Sequence, residues 1–187
     1  MDKNIKLLQA AIKSNVSAAI EEDLKNIDKT SDILPTKTIG VAKIFVKQDA
    51  ILCGSPWVNN CFLQIDKNIR IIWHFNEGSK IKNGDKICTI SGNYNRILMG
   101  ERIAINFLQT LSGTASISNQ MYLKIRKYKA KLLDTRKTIP GLRVAQKYAV
   151  KVGGAFNQRF GLYDQVLIKE NHIKSIGSVT QILNIAK

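Results

Sequence analysis

Apolar residues recur at helical spacing near the start of the chain. Leu7, Leu8, Ala11 and Ile12, then Val16, Ala19, Ile20 and Leu24, predict one or two helices over Ile5 to Leu24. The polar stretch from Lys25 to Ser31 closes them. From Thr36 to Asn93 the pattern changes to short, β-rich runs bounded by turns. Ile39 with Val41, Ile44-Phe45-Val46, Cys61 to Ile65, Ile69 to Trp73 and Lys86 to Gly92 read as strands, with two turns between Glu77 and Asp85. This half predicts a small α+β domain with a mostly antiparallel sheet. Helical spacing returns at Ile97, where Ile103, Phe107, Leu111, Ala115, Ser118 and Leu123 share one face. The small residues from Leu111 to Ser116 predict close approach of a neighbouring backbone. A strand over 130–134, a helix over 141–152, a strand over 165–168 and a helix over 175–187 complete the chain. That alternation is the pattern of a parallel sheet. No internal repeat or low-complexity segment interrupts it.

Composition narrows the class. A chain of 187 residues with 44% hydrophobic residues can bury a real core. No run approaches the ~18 apolar residues of a membrane span. Met1-Asp2-Lys3-Asn4 starts no apolar leader, so the expected location is cytoplasmic. Cys53, Cys61 and Cys88 lack metal-ligand spacing and read as reduced core thiols. The net charge of +15 is uneven: residues 101–187 hold 15 Lys/Arg against 4 Asp/Glu. Part of that excess follows from a chain rich in Lys, Ile and Asn throughout. Nucleic acid is not an expected partner, because residues 124–187 read as lacking exposed aromatics among the cations.

The most informative stretch is Leu133-Asp134-Thr135-Arg136-Lys137-Thr138-Ile139-Pro140-Gly141-Leu142-Arg143. An apolar run delivers two cations to a strand's C-terminal end, where α/β barrels build their chemistry. Gln165-Val166-Leu167-Ile168-Lys169 repeats the arrangement. Two strand ends carrying cations imply a substrate with several negative charges. Thr138 and Pro140 also fit a helix cap and first turn. His172 reads as structural, His74 as local packing, and Gly153-Gly154 as a helix terminus rather than a phosphate loop.

These words resemble the quinolinate phosphoribosyltransferase family, the nicotinate-nucleotide pyrophosphorylases. The matching residues are Gly100-Glu101-Arg102, Asn106 to Gly113, Asp134 to Arg143, Gln146 to Val150, Gly153-Gly154, Asn157-Gln158-Arg159, Gly161-Leu162 and Leu167 to His172. Glu22-Asp23-Leu24 with Asp28 and Thr30 matches the family's opening motif more loosely, Lys25 standing where a Gly is usual. The resemblance implies an α/β fold: an open α/β sandwich domain over 1–112, then an incomplete α/β barrel of type II phosphoribosyltransferase kind over 113–187. It implies transfer of phosphoribosyl from phosphoribosyl pyrophosphate to quinolinate with decarboxylation, Mg²⁺ entering with the pyrophosphate, and a homodimer. By position, Arg136, Lys137 and Arg159 match residues that grip the substrate carboxylates, Thr135 a contact beside them, and Lys169 a lysine of the same anion site. Arg102 matches an arginine donated across the dimer interface.

Two departures stand out. Gln158 replaces the family's usual His. The family also continues after the position of Lys187 with further β/α units, so the chain reads as C-terminally truncated. The alternatives are an inactive remnant, a paralogue with another substrate, or a non-catalytic protein that binds anions or nucleic acid.

Overall fold

The computed structural model describes residues 3–25 and 38–186. Asp28, Thr30 and the rest of the polar stretch after Lys25 lie outside the described residues. The first helix, α1 (Lys3–Leu24), is a single element that buries Ile12 and Val16. Lys25 follows it at φ 40°, in the left-handed region where a Cβ is strained. The resemblance to a family with Gly at this place has its physical reason there.

β1 (Ile39–Phe45) is followed by β2 (Ala50–Ile51) and α2 (Ser55–Ile65). Then come β3 (Arg70–Trp73), β4 (Lys80–Ile81), β5 (Lys86–Asn93) and the 32-residue α3 (Tyr94–Ile125). β5 is the centre of an antiparallel sheet ordered β1-β5-β3, while β2 pairs with β4. Register sets the two faces: Ala42 opposes Ile90 and Ile71 opposes Ile90, so these side chains share the inner side. Ile39, Val41, Phe45 and Ile72 point the other way and are exposed. Helices cover only one face, giving an open sandwich.

The expected strand over Cys61 to Ile65 is instead the last turn of α2. Trp57, Val58, Cys61 and Phe62 are buried at helical spacing, and Pro56 opens the first turn. The Glu77 carboxylate accepts the N–H groups of Gly54 and Ser55 at 2.7 and 3.0 Å, and the Ser55 hydroxyl as well. A negative charge at that end satisfies otherwise orphaned donors. The small stretch of α3 does meet a backbone. Ser112 Oγ accepts from the Cys53 N–H and donates to the Cys53 carbonyl, both at 3.0 Å, and Ser116 Oγ accepts from the Ile51 N–H at 2.8 Å. On α3, Ile103, Phe107, Leu111, Ala115 and Ser118 are buried as expected, whereas Leu123 is exposed.

After α3 the structure departs further from the expected pattern. Leu133 makes a single parallel bridge, and its partner is Phe156. α4 (Arg143–Val152) lies between them. Residues 165–168 form no strand; Gln165, Val166 and Leu167 are exposed, and no segment among the described residues pairs with them. The expected last helix is two short ones, α5 (Glu170–Ile176) and α6 (Val179–Ala186), separated by Gly177 at φ 99°. Gly153 ends α4 as a cap, in line with its reading as a helix terminus. His74 is exposed and bonds Thr89 Oγ1 at 2.9 Å on the open face, rather than packing inward.

Candidate functional site

Segments 132–134 and 156–158 run side by side. The Phe156 N–H donates to the Leu132 carbonyl at 2.9 Å, and the Asp134 N–H to the Phe156 carbonyl at 3.0 Å. Past that point both chains leave the pairing at their C-terminal ends. Thr135, Arg136 and Lys137 follow on one; Arg159 follows on the other.

Asp134 fixes the junction. Its Oδ1 accepts from Lys147 Nζ at 2.5 Å and from the Gln158 N–H at 2.8 Å, and its Oδ2 from Asn157 Nδ2 at 2.7 Å. Lys147 is fully buried and also donates to the Gln158 carbonyl at 2.9 Å. Asn157 Nδ2 reaches back to the Lys147 carbonyl at 2.8 Å. A buried ammonium and carboxylate tolerate such a place only when paired and hydrogen-bonded. Thr135 Oγ1 accepts the Lys137 N–H at 3.0 Å, tightening the exit turn. Thr138 does not cap α4: its Oγ1 accepts from Arg143 Nε at 3.2 Å, and α4 begins without a side-chain cap.

Arg159 is 7% exposed, so it is not the solvated loop arginine its sequence position alone suggests. Its Nη1 donates to the Gln165 carbonyl at 2.8 Å. The Nε atoms of Arg159 and Arg136 are both buried and without a hydrogen-bond partner among the described residues. Buried donors are normally satisfied, and these two lie just past the single bridge that joins their segments.

Lys137 and Thr135 are exposed beside Arg136. Lys169 is exposed just before α5, and its N–H donates to His172 Nδ1 at 2.9 Å, which gives His172 the expected structural role. No strand delivers Lys169, and no hydrogen bond or ion pair joins its side chain to either arginine among the described residues. Arg102 stands on an exposed face of α3. It lines a hollow of about 200 Å³ with Glu22 and Asp23 of α1, Asn106, Thr110 and Leu142, the residue that precedes α4. The structure therefore brings Thr135, Arg136, Lys137 and Arg159 to one end, and leaves Arg102 and Lys169 on separate elements.

Lys147 and Arg143 are the residues that sequence reasoning missed. The cysteines are free and buried, with burial raising Cys88 to about 11 and Cys61 to about 12 and pushing Cys53 up further; they are inert. Among the described residues no three His, Cys, Asp or Glu side chains cluster to hold a metal ion. No helix there is long and apolar enough to cross a membrane. Tyr128, Phe156 and Tyr163 are exposed, contrary to the expectation of no exposed aromatics in this half. Lys127 and Lys131 sit 5.1 and 5.3 Å from the Tyr128 and Phe156 ring centres.

A family model for the N-terminal domain of quinolinate phosphoribosyl transferase matches residues 28–112, and the model for its C-terminal domain matches residues 114–187. A probable nicotinate-nucleotide pyrophosphorylase (carboxylating) of Bacillus subtilis is 37% identical over 160 residues, 86% of this chain and 55% of that protein. A mitochondrial quinolinate phosphoribosyltransferase (decarboxylating) 2a of Nicotiana tabacum is 36% identical over 177 residues, 92% of this chain and 49% of that one. The solved nicotinate-nucleotide pyrophosphorylase of Francisella tularensis superposes with a TM-score of 0.93 at 41% identity, covering 100% of this chain and 66% of that one. The NadC protein of Streptococcus pyogenes gives 0.88 at 35%, covering 94% and 62%. The chain spans about half the length of the curated relatives it matches.

Proposed function

The chain belongs to the quinolinate phosphoribosyltransferase family, and on that premise we propose that it serves phosphoribosyl transfer to quinolinate with loss of CO2, contributing the dicarboxylate-binding end of the site. The observation that carries the reading is that the Nε atoms of Arg136 and Arg159, on two segments joined by one parallel bridge, are buried and without a partner among the described residues. A guanidinium offers a planar fork that matches a carboxylate, and two forks match a pyridine bearing two neighbouring carboxylates.

In this reading Arg136 and Arg159 orient the pyridine, with the Thr135 hydroxyl beside them. Lys137 joins them in gripping the carboxylates, and Lys169 supplies mobile positive charge to the same anion site. Arg102 serves the site of a second copy in a homodimer. The ring nitrogen forms a bond to the ribose C1′ while the C1′–O bond to pyrophosphate breaks and its electron pair leaves with pyrophosphate. The bond from C2 to its carboxylate then breaks, CO2 departs, and the carbon takes up a proton. Fixed cations lower the barrier by holding both anions and meeting the charge that grows on the leaving group. Mg²⁺ enters as part of the pyrophosphate substrate, since both Asp134 oxygens are already engaged. The same reading takes in the division at 112/113, which falls inside α3, and a cytoplasmic location.

Calorimetric titration with quinolinate tests it. Saturable binding that Arg159→Gln weakens by about tenfold or more is expected, the order of one charge-assisted fork. A folded chain that binds quinolinate no better than nicotinate overturns the reading. With phosphoribosyl pyrophosphate and Mg²⁺ added, nicotinate mononucleotide is the expected product.

A further inference from the structure

Two cations of α4 take no part in the chemistry proposed above, yet each ties together the same two loops. Lys147 Nζ bonds Asp134 Oδ1 and the Gln158 carbonyl at 2.5 and 2.9 Å. One turn earlier, Arg143 bonds Thr138 Oγ1 through Nε and the Phe160 carbonyl through Nη1, both at 3.2 Å. Residues four apart share a helix face, so the two side chains form successive rungs. Asp134 and Thr138 bracket Arg136 in sequence; Gln158 and Phe160 bracket Arg159.

From this geometry we infer that Arg143 and Lys147 are positioning residues, which set the spacing of Arg136 and Arg159 and thereby select a dicarboxylate. The inference rests on the reading of that end as a dicarboxylate site. Pairing between the two segments is reduced to one bridge with two backbone bonds, ending at the Asp134 N–H. Beyond it no ladder holds the arginine-bearing ends at a fixed separation. The rungs from α4 do so, helped by the bond from the Gln158 N–H to Asp134. Lys147 is fully buried against the Phe160 ring, 5.1 Å from its centre, and Arg143 is half-buried. A buried ion pair is a poor way to gain stability, because the desolvation cost offsets the attraction. It is a good way to fix two loops at one spacing, since each of its bonds has direction and length.

The test compares affinity for quinolinate, with two carboxylates, and nicotinate, with one, by calorimetry on the full chain. Lys147→Met keeps an unbranched side chain and removes the inner rung; Arg143→Gln removes the outer one. Each variant that keeps its circular dichroism spectrum is expected to lose quinolinate affinity about tenfold or more while nicotinate affinity moves by less than roughly threefold, because only a two-point ligand senses the spacing. Lys147→Arg, which keeps the charge and at least two donors, is expected to recover part of the loss. Equal loss for both ligands, or no loss, overturns the inference and leaves the two residues structural. So does failure of both variants to fold. A wild-type chain without preference for quinolinate overturns the site reading as well, whereas a preference that survives both substitutions overturns only the positioning role.

Discussion

Residues 39–125 and residues 126–186 share one core but enclose different kinds of side chain. The first region encloses Leu52, Trp57, Phe62, Ile90, Ile97 and Leu111 around the inner face of its sheet. In the second, the buried apolar residues are Ala145, Ala149, Ala155 and Ile182, and its largest enclosed side chains are Lys147 and Arg159. Apolar burial is strong but has no direction, so it makes a stable body without dictating the placement of any one atom. Hydrogen bonds between charged groups fix atoms at given lengths while adding little net stability. Large apolar side chains are thus concentrated in the first region, whose core Ala145 and Ala149 of α4 join, and directional charged contacts in the second.

The strongest challenge to this contrast is Trp57→Ala. Trp57 is fully buried with its ring 5.4 Å from that of Tyr148, and its loss is expected to cost about 3–5 kcal/mol. Urea unfolding reads the cost, and a loss under ~1 kcal/mol would show that apolar burial is not what holds the first region. Asp134→Ala leaves the Lys147 ammonium buried without a counter-charge, at a cost of about 3 kcal/mol. Here the location matters: amide exchange is expected to speed up over 132–160 and stay unchanged over 39–125. Gly153→Ala probes the seam between the regions. An added Cβ would lie 2.4 Å from the Ala115 carbonyl oxygen and 2.7 Å from Ser118 Cβ, so α4 must move, costing about 1–3 kcal/mol in thermal or urea unfolding.

Alkaline pH sharpens the comparison further. Burial raises Cys88 to about 11 and Cys61 to about 12 from an ordinary 9.0. Above pH 9 the unfolded chain releases these protons while the folded chain keeps them, so stability falls from pH 9 toward pH 11–12. Each thiol contributes at most about 1.4 kcal/mol per pH unit. The urea midpoint measured at pH 8 and pH 10 is expected to drop, and to drop less in Cys88→Ala. The smallest effect is a gain. Gly113 lies within α3 with open space where a Cβ would go, so Gly113→Ala is expected to stabilise by about 0.5–1 kcal/mol. An unchanged or lower melting temperature there would mean that something in solution packs against that face.

Legibility follows the same divide. The buried face of α3 and the close approach at Ser112 and Ser116 were readable because helical periodicity and residue size report apolar packing directly. The apolar tail of α2, Cys61 to Ile65, reads as a strand by itself; Pro56 and the spacing from Trp57 to Phe62 carry the helix signal. The strand expected over 165–168 failed for the opposite reason. An apolar run becomes a strand only beside a segment that bonds it, and Val166 and Leu167 have none among the described residues. Thr135, Arg136, Lys137 and Arg159 could be found from their motifs. Lys147 could not, because it lies off the apolar stripe of α4 and is buried by loops whose course no local pattern reveals. A basic pair four residues apart, with an aspartate upstream, was the only available trace.

The long helix α3 joins the two halves of the chain. Its 32 residues make a rod about 48 Å long that runs without a break through the boundary between the two family models. A hinge needs a few residues free to change their backbone angles, and an unbroken helix gives none. Closing over a bound anion by swinging one half against the other would have to bend that rod. A rigid swing of the two halves is therefore not the motion this architecture favours.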